Sequence, residues 1–197
     1  MRWMLLLALT LLAACTTTVT PPPAPRFPVT VYVADYGRHA SLLVPRPGGE
    51  LVEFAYGEWK WFALGKKSMW RSPAALLWPT AATLGRRSLP GDLSHDELAR
   101  LMGLGVEEGT ALHPIVVEKG PSASLLLMLE ERHLINRTGR QTATNHGLLF
   151  APDPSSFSLF YNCNSAVSDW LERLGCEVSL ASPKANYEIE PPPDIDW

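Results

Sequence analysis

From Asn164 to Leu174 the apolar side chains Ala166, Val167, Trp170, Leu171 and Leu174 recur at helical spacing, and Gly175 stands where helices often end in a left-handed residue. A helix here constrains the two cysteines that bracket it. Cys176 follows Cys163 by thirteen positions, and a mostly helical path at 1.5 Å per residue sets them roughly 15 to 20 Å apart. A disulfide needs Cα atoms within about 7 Å, so no bond between Cys163 and Cys176 is expected. Cys163 is then a thiol at a helix N-terminus, either a nucleophile or a small buried side chain. The unpaired N–H groups and the macrodipole at that position favour a thiolate and offer donors for an oxyanion.

The first residues, MRWMLLLALTLLAAC, set the compartment. Arg2 supplies a positive start, Leu5 to Leu12 a short apolar run, and Leu12-Ala13-Ala14 small residues before Cys15. The run falls short of the roughly 20 residues of a spanning helix. A cysteine after the small pair matches a bacterial lipoprotein signal, in which Cys15 is acylated and becomes the first residue. Residues 1–14 are therefore expected to be a signal peptide, residues 15–28 a lipidated Thr- and Pro-rich tether in extended form, and residues 29–197 a single domain. Two or three acyl chains, at about 0.8 kcal/mol per buried methylene, hold such a protein stably on a membrane. Thr16 is not the aspartate that resembles an inner-membrane retention signal, so the expected site is the outer membrane, facing the periplasm. Lys and Arg number 17 against 20 Asp and Glu, and no basic run exceeds two residues, which argues against nucleic acid as a partner.

Within the domain, Val29 to Ala34 predicts a buried strand. His39 to Val44 and Glu50 to Tyr56 flank Pro45-Arg46-Pro47-Gly48-Gly49 and predict a hairpin. If Val44 pairs with Glu50, Ala40, Leu42, Val44, Val52 and Phe54 share a core face, and His39, Ser41, Leu43, Leu51, Glu53 and Ala55 share the other. Trp59 to Arg87 predicts an irregular, tryptophan-rich stretch with a short helix after Ser72-Pro73. Ser94 and Glu97 form a capping box for a helix whose stripe is Leu98, Leu101, Met102 and Gly105. His113 to Gly120 predicts a strand, Ser122 to Ile135 a helix by length, and Arg137 to Ser158 a long loop.

A nucleophilic Cys163 needs a base. His95 opens a surface helix, His113 precedes a proline, and His133 lies in a charged run; His146 stands in the loop before the cysteine as a fallback. His39 is the preferred partner because Glu53 shares its face one pair along and is placed to orient the ring, with Glu58 as the rival third member. No metal-binding or cofactor motif is present.

A histidine on an early strand, a polar residue on the next strand and a late cysteine opening a helix resemble the circularly permuted papain-like superfamily, which includes NlpC-type peptidoglycan hydrolases. More closely, VYVADYGRHASLLVP, EFAYGEWKWF, LSHDELARLM and YNCNSAVSDWLERLG resemble uncharacterised bacterial lipoproteins called urease-region conserved hypothetical proteins. Here Arg38-His39-Ala40 replaces the family's Trp-His-Thr, and Asn162-Cys163-Asn164-Ser165-Ala166 replaces its Thr-Cys-Asn-Thr-Trp. The resemblance implies an α+β, permuted papain-like (NlpC-like) fold with a Cys163, His39 and Glu53 triad. It does not identify the substrate of the amide or ester attack. Peptidoglycan stem peptides are expected because the tether places the domain beside the wall; a lipid acyl group, suggested by the tryptophan-rich stretch, comes second, and no cofactor is implied. The alternative is a noncatalytic envelope lipoprotein that uses the same fold to bind.

Overall fold

The computed structural model describes residues 16–66, 78–137, 143–145, 147–179 and 184–192. The leader, Cys15, the segment around Ser72-Pro73 and His146 lie outside the described residues.

Seven strands form one antiparallel sheet in the order β6-β2-β3-β4-β5-β8-β7. The strands are β2 (Pro28–Asp35), β3 (Ala40–Pro45), β4 (Glu50–Glu58), β5 (Thr80–Pro90), β6 (Ala111–Glu118), β7 (Ala143–Asn145) and β8 (Leu148–Phe157). A second sheet sets β1 (Thr17–Thr20) between β9 (Glu177–Val178) and β10 (Tyr187–Ile189). Among the described residues, three helices, α1 (His95–Met102), α2 (Lys119–Arg137) and α3 (Cys163–Arg173), and a π-helical turn over Trp59–Ala63 complete an α+β fold.

The alternation of β3 and β4 sorts their side chains as expected, but into two packed faces. Ala40, Leu42, Val44, Val52, Phe54 and Tyr56 join Leu125, Leu129 and Leu171 of α2 and α3 in the main core. Leu43 and Leu51 pack on the opposite face against Leu98 and Met102 of α1, and Ala55 packs with Ala63, Leu148 and Phe150. The face of His39 and Glu53 is therefore no solvent face. The hairpin register also differs by two residues from the expected one: Val44 pairs with Val52, and Leu43 with Glu53. Gly48 and Gly49 adopt φ of 110° and 94°, and this left-handed pair turns the chain in a conformation other residues resist.

Ser94 and Glu97 do form a capping box for α1. That helix ends earlier than its pattern suggests, because Gly103 closes it at φ 72°; Gly105 lies beyond it and Leu101 is exposed. The stretch from Thr80 to Arg87 belongs to a strand rather than being irregular, paired with β8 from Thr80 to Arg86 and with β4 from Ala82 onward. Most of the predicted loop from Arg137 to Ser158 is likewise strand. Its proline and aspartate content hid this: Pro154 falls at the bulge between the Ala82–Asp153 and Ala81–Ser156 pairs, and β7 covers β8 only as far as Phe150. Prolines are tolerated at such bulges and uncovered edges.

The tether expected over residues 15–28 is largely part of the domain. Thr17 and Val19 are wholly buried. Pro22 lies against Gly175, and the amides of Arg26 and Phe27 donate to the Glu118 carboxylate. Composition suggested a spacer because threonine and proline bury little apolar area, yet the backbone of β1 pairs with both β9 and β10.

Candidate binding site

Asn162 initiates α3 by accepting hydrogen bonds from the amides of Asn164 and Ser165 on its side chain. Cys163 is therefore the first helical residue, as the spacing implied, and Cys163 and Cys176 are both free and buried. The thiol is not poised as a thiolate. Burial pushes it up to about 11, only partly offset by backbone N–H groups that include that of Ala40. Its own hydrogen bond goes to Asn164 Oδ1 at 3.6 Å. A buried, neutral thiol is a poor nucleophile at neutral pH.

His39 precedes β3, and its ring turns to the face opposite that thiol. It lies 4.6 Å from the Phe62 ring and 6.1 Å from that of Tyr36, centroid to centroid. Among the described residues no hydrogen bond joins it to Cys163, and its Nδ1 is sealed from solvent with no partner. Desolvation lowers the imidazole from 6.5 to about 4, so the ring is neutral at pH 7.

Glu53, 1% exposed, is committed elsewhere. It accepts from Tyr36 Oη at 3.1 Å and Ser41 Oγ at 2.6 Å, and pairs with Arg87 Nε. The carboxylate lies on the His39 face as the alternation required, but it organises Tyr36, Ser41 and Arg87 rather than the imidazole. Glu58 caps the π-helical turn, accepting from the Trp61 amide at 2.6 Å, which makes it a structural group. The other histidines have structural settings too: His95 and His133 bond the carbonyls of Leu112 and Leu149, each at 2.9 Å, and His113 sits in β6 opposite Val33.

What the His39 face encloses is a cavity of about 380 Å³. Its apolar wall is Ala55, Phe62, Met102, Leu148 and Phe150, and its polar end is Tyr36, His39, Glu53 and Arg87. Arg87 was not singled out from sequence; its pairing with Glu53 across β4 and β5 was hidden while β5 read as loop. Glu53, Tyr36, Ser41 and Arg87 Nε bond one another, which leaves the Nη donors of Arg87 and the neutral His39 ring as the other polar groups at this end. A neutral imidazole can donate or accept according to tautomer, so the site can hold a small apolar body with one polar head. Among the described residues no group of three His, Cys, Asp or Glu side chains could hold a metal ion. Comparisons with known proteins found no family model, no curated protein and no solved structure that the chain matches.

Proposed function

We propose that the protein is a lipid-anchored envelope protein whose domain binds a small, largely apolar molecule reversibly in the cavity beneath His39. The lipid anchor is read from the leader and Cys15. The observation that carries the binding role is the cavity of about 380 Å³ itself, with an apolar wall and a polar end formed by Tyr36, the neutral His39 ring, Glu53 and Arg87.

The test uses 2-naphthol, which has an apolar body and one hydroxyl, followed by saturation-transfer NMR. Binding should be saturable, roughly tenfold weaker in His39→Phe through loss of about one hydrogen bond, and unchanged in Cys163→Ala. Binding indifferent to His39→Phe would remove the proposal.

One observation supports a second possibility, the permuted papain-like cysteine hydrolase acting on a peptidoglycan or lipid amide or ester. The helix that opens on Cys163 packs across β3 and β4, with the Ala40 amide beside the sulfur. Such an enzyme would need His39 to leave Tyr36 and Phe62 and reach the opposite face. Iodoacetamide alkylation of Cys163 that rises through neutral pH in the folded protein would favour the hydrolase. Alkylation that rises only toward pH 11, or on unfolding, favours binding.

A further inference from the structure

We infer that the domain rests directly on the bilayer through the end of the large sheet where α3 begins, with Val106, Trp78, Leu159 and Phe160 as the contacting side chains. This rests on the proposal that Cys15 carries the lipid anchor.

The position of the chain start is the first observation. Thr16, the residue bonded to Cys15, accepts from the Asn186 side chain at 2.9 Å, and the Thr17 amide donates to the Asn186 carbonyl at 2.8 Å. The next residue, Tyr187, donates from its amide to Asp35 at 3.1 Å and from its hydroxyl to the Asn164 carbonyl at 3.3 Å. The chain therefore enters the fold beside the end of β2 and the first turn of α3. Because residues 17–28 are folded against the domain, no free spacer separates an acyl group on Cys15 from that end. Successive Cα atoms are 3.8 Å apart, so an anchor there holds the end within a few ångströms of the lipid.

The second observation is what that end displays. The connection from β8 into α3 exposes Leu159 at 41% and Phe160 at 85%. Trp78, 72% exposed, precedes Thr80, which pairs with Phe157 at the same end. Val106, 81% exposed, lies in the connection into β6, whose first residue, Ala111, pairs with Asp35. Three separate connections thus place large apolar side chains in water around the chain start. Tryptophan and phenylalanine are favoured at the boundary between lipid and water, where partly inserted side chains add to an acyl anchor. The exposed charged side chains at this end include Arg38, Lys60, Lys66 and Lys184 with Glu107 and Glu108, and the apolar side chains among them supply the insertion.

The experiment reconstitutes the mature full chain into phosphatidylcholine vesicles whose acyl chains carry bromine, which quenches tryptophan on contact. The intact mass, read first, reports whether acyl chains are present. With acyl chains present, bromolipid should quench the emission, and Trp78→Phe should reduce that quenching. An acylated protein with no quenching, or with quenching undiminished by Trp78→Phe, overturns the bilayer contact while the anchor stands. A mass without acyl chains removes the anchor and the contact with it.

Discussion

Glu53 illustrates how one side chain can be placed correctly by alternation and still have a different role from the one its position suggests. Its carboxylate is buried and bonded to Tyr36, Ser41 and Arg87, so its removal strands a cation and two hydroxyl donors. Glu53→Ala should cost about 3 to 5 kcal/mol, measured by urea unfolding. His39 makes a second prediction at this scale. As pH falls from about 6.5 toward about 4, the unfolded chain takes up a proton that the folded ring refuses. Stability from this group is therefore full above pH 6.5 and is lost as pH falls, by at most about 1.4 kcal/mol per pH unit. Burial lowers His113 and His133 as well, with the same sign, and His95 is raised, with the opposite sign. His39→Phe should flatten, without abolishing, the fall in the urea midpoint between pH 6.5 and pH 4.

At the scale of elements, the cavity wall depends on how closely the π-helical turn approaches β4. A Cβ on Gly57 would fall 2.2 Å from the Phe62 ring, so only glycine lets that ring lie down beside His39. Gly57→Ala should displace Phe62, cost about 1 to 3 kcal/mol by overpacking, and weaken naphthol binding. Thermal unfolding and the same NMR titration measure both effects. A domain that loses stability but keeps unaltered binding would show that Phe62 is not part of the wall.

For the whole molecule, the boundary is the consequential difference between sequence and structure. A chain cut to begin at Val29, where composition suggested that folding starts, would lack the central strand of the small sheet. Thr17 and Val19 would no longer cover the core under Tyr187 and Val178. Such a truncation should unfold at distinctly lower urea concentration than a chain beginning at Thr16, and a matching midpoint would show that β1 contributes nothing to stability.

Features that depend on neighbours along the chain are legible in the residues alone: the α3 helix opening at Cys163, the capping box at Ser94, the β3–β4 hairpin, and the shared face of His39, Ser41 and Glu53. Helical and strand periods, caps and glycine turns act over a few residues, so they leave a local signal. Four features become visible with the folded chain: the His39 ring turns to Phe62, Glu53 serves Arg87, the proline-bearing β8 is a strand, and Thr17–Thr20 belongs to the domain. Each of these rests on partners far away in sequence, as when β1 finds β10 and Asn186 meets Thr16 170 positions away. Desolvation at such contacts sets the protonation of Cys163 and His39, and no stretch of sequence carries that information locally.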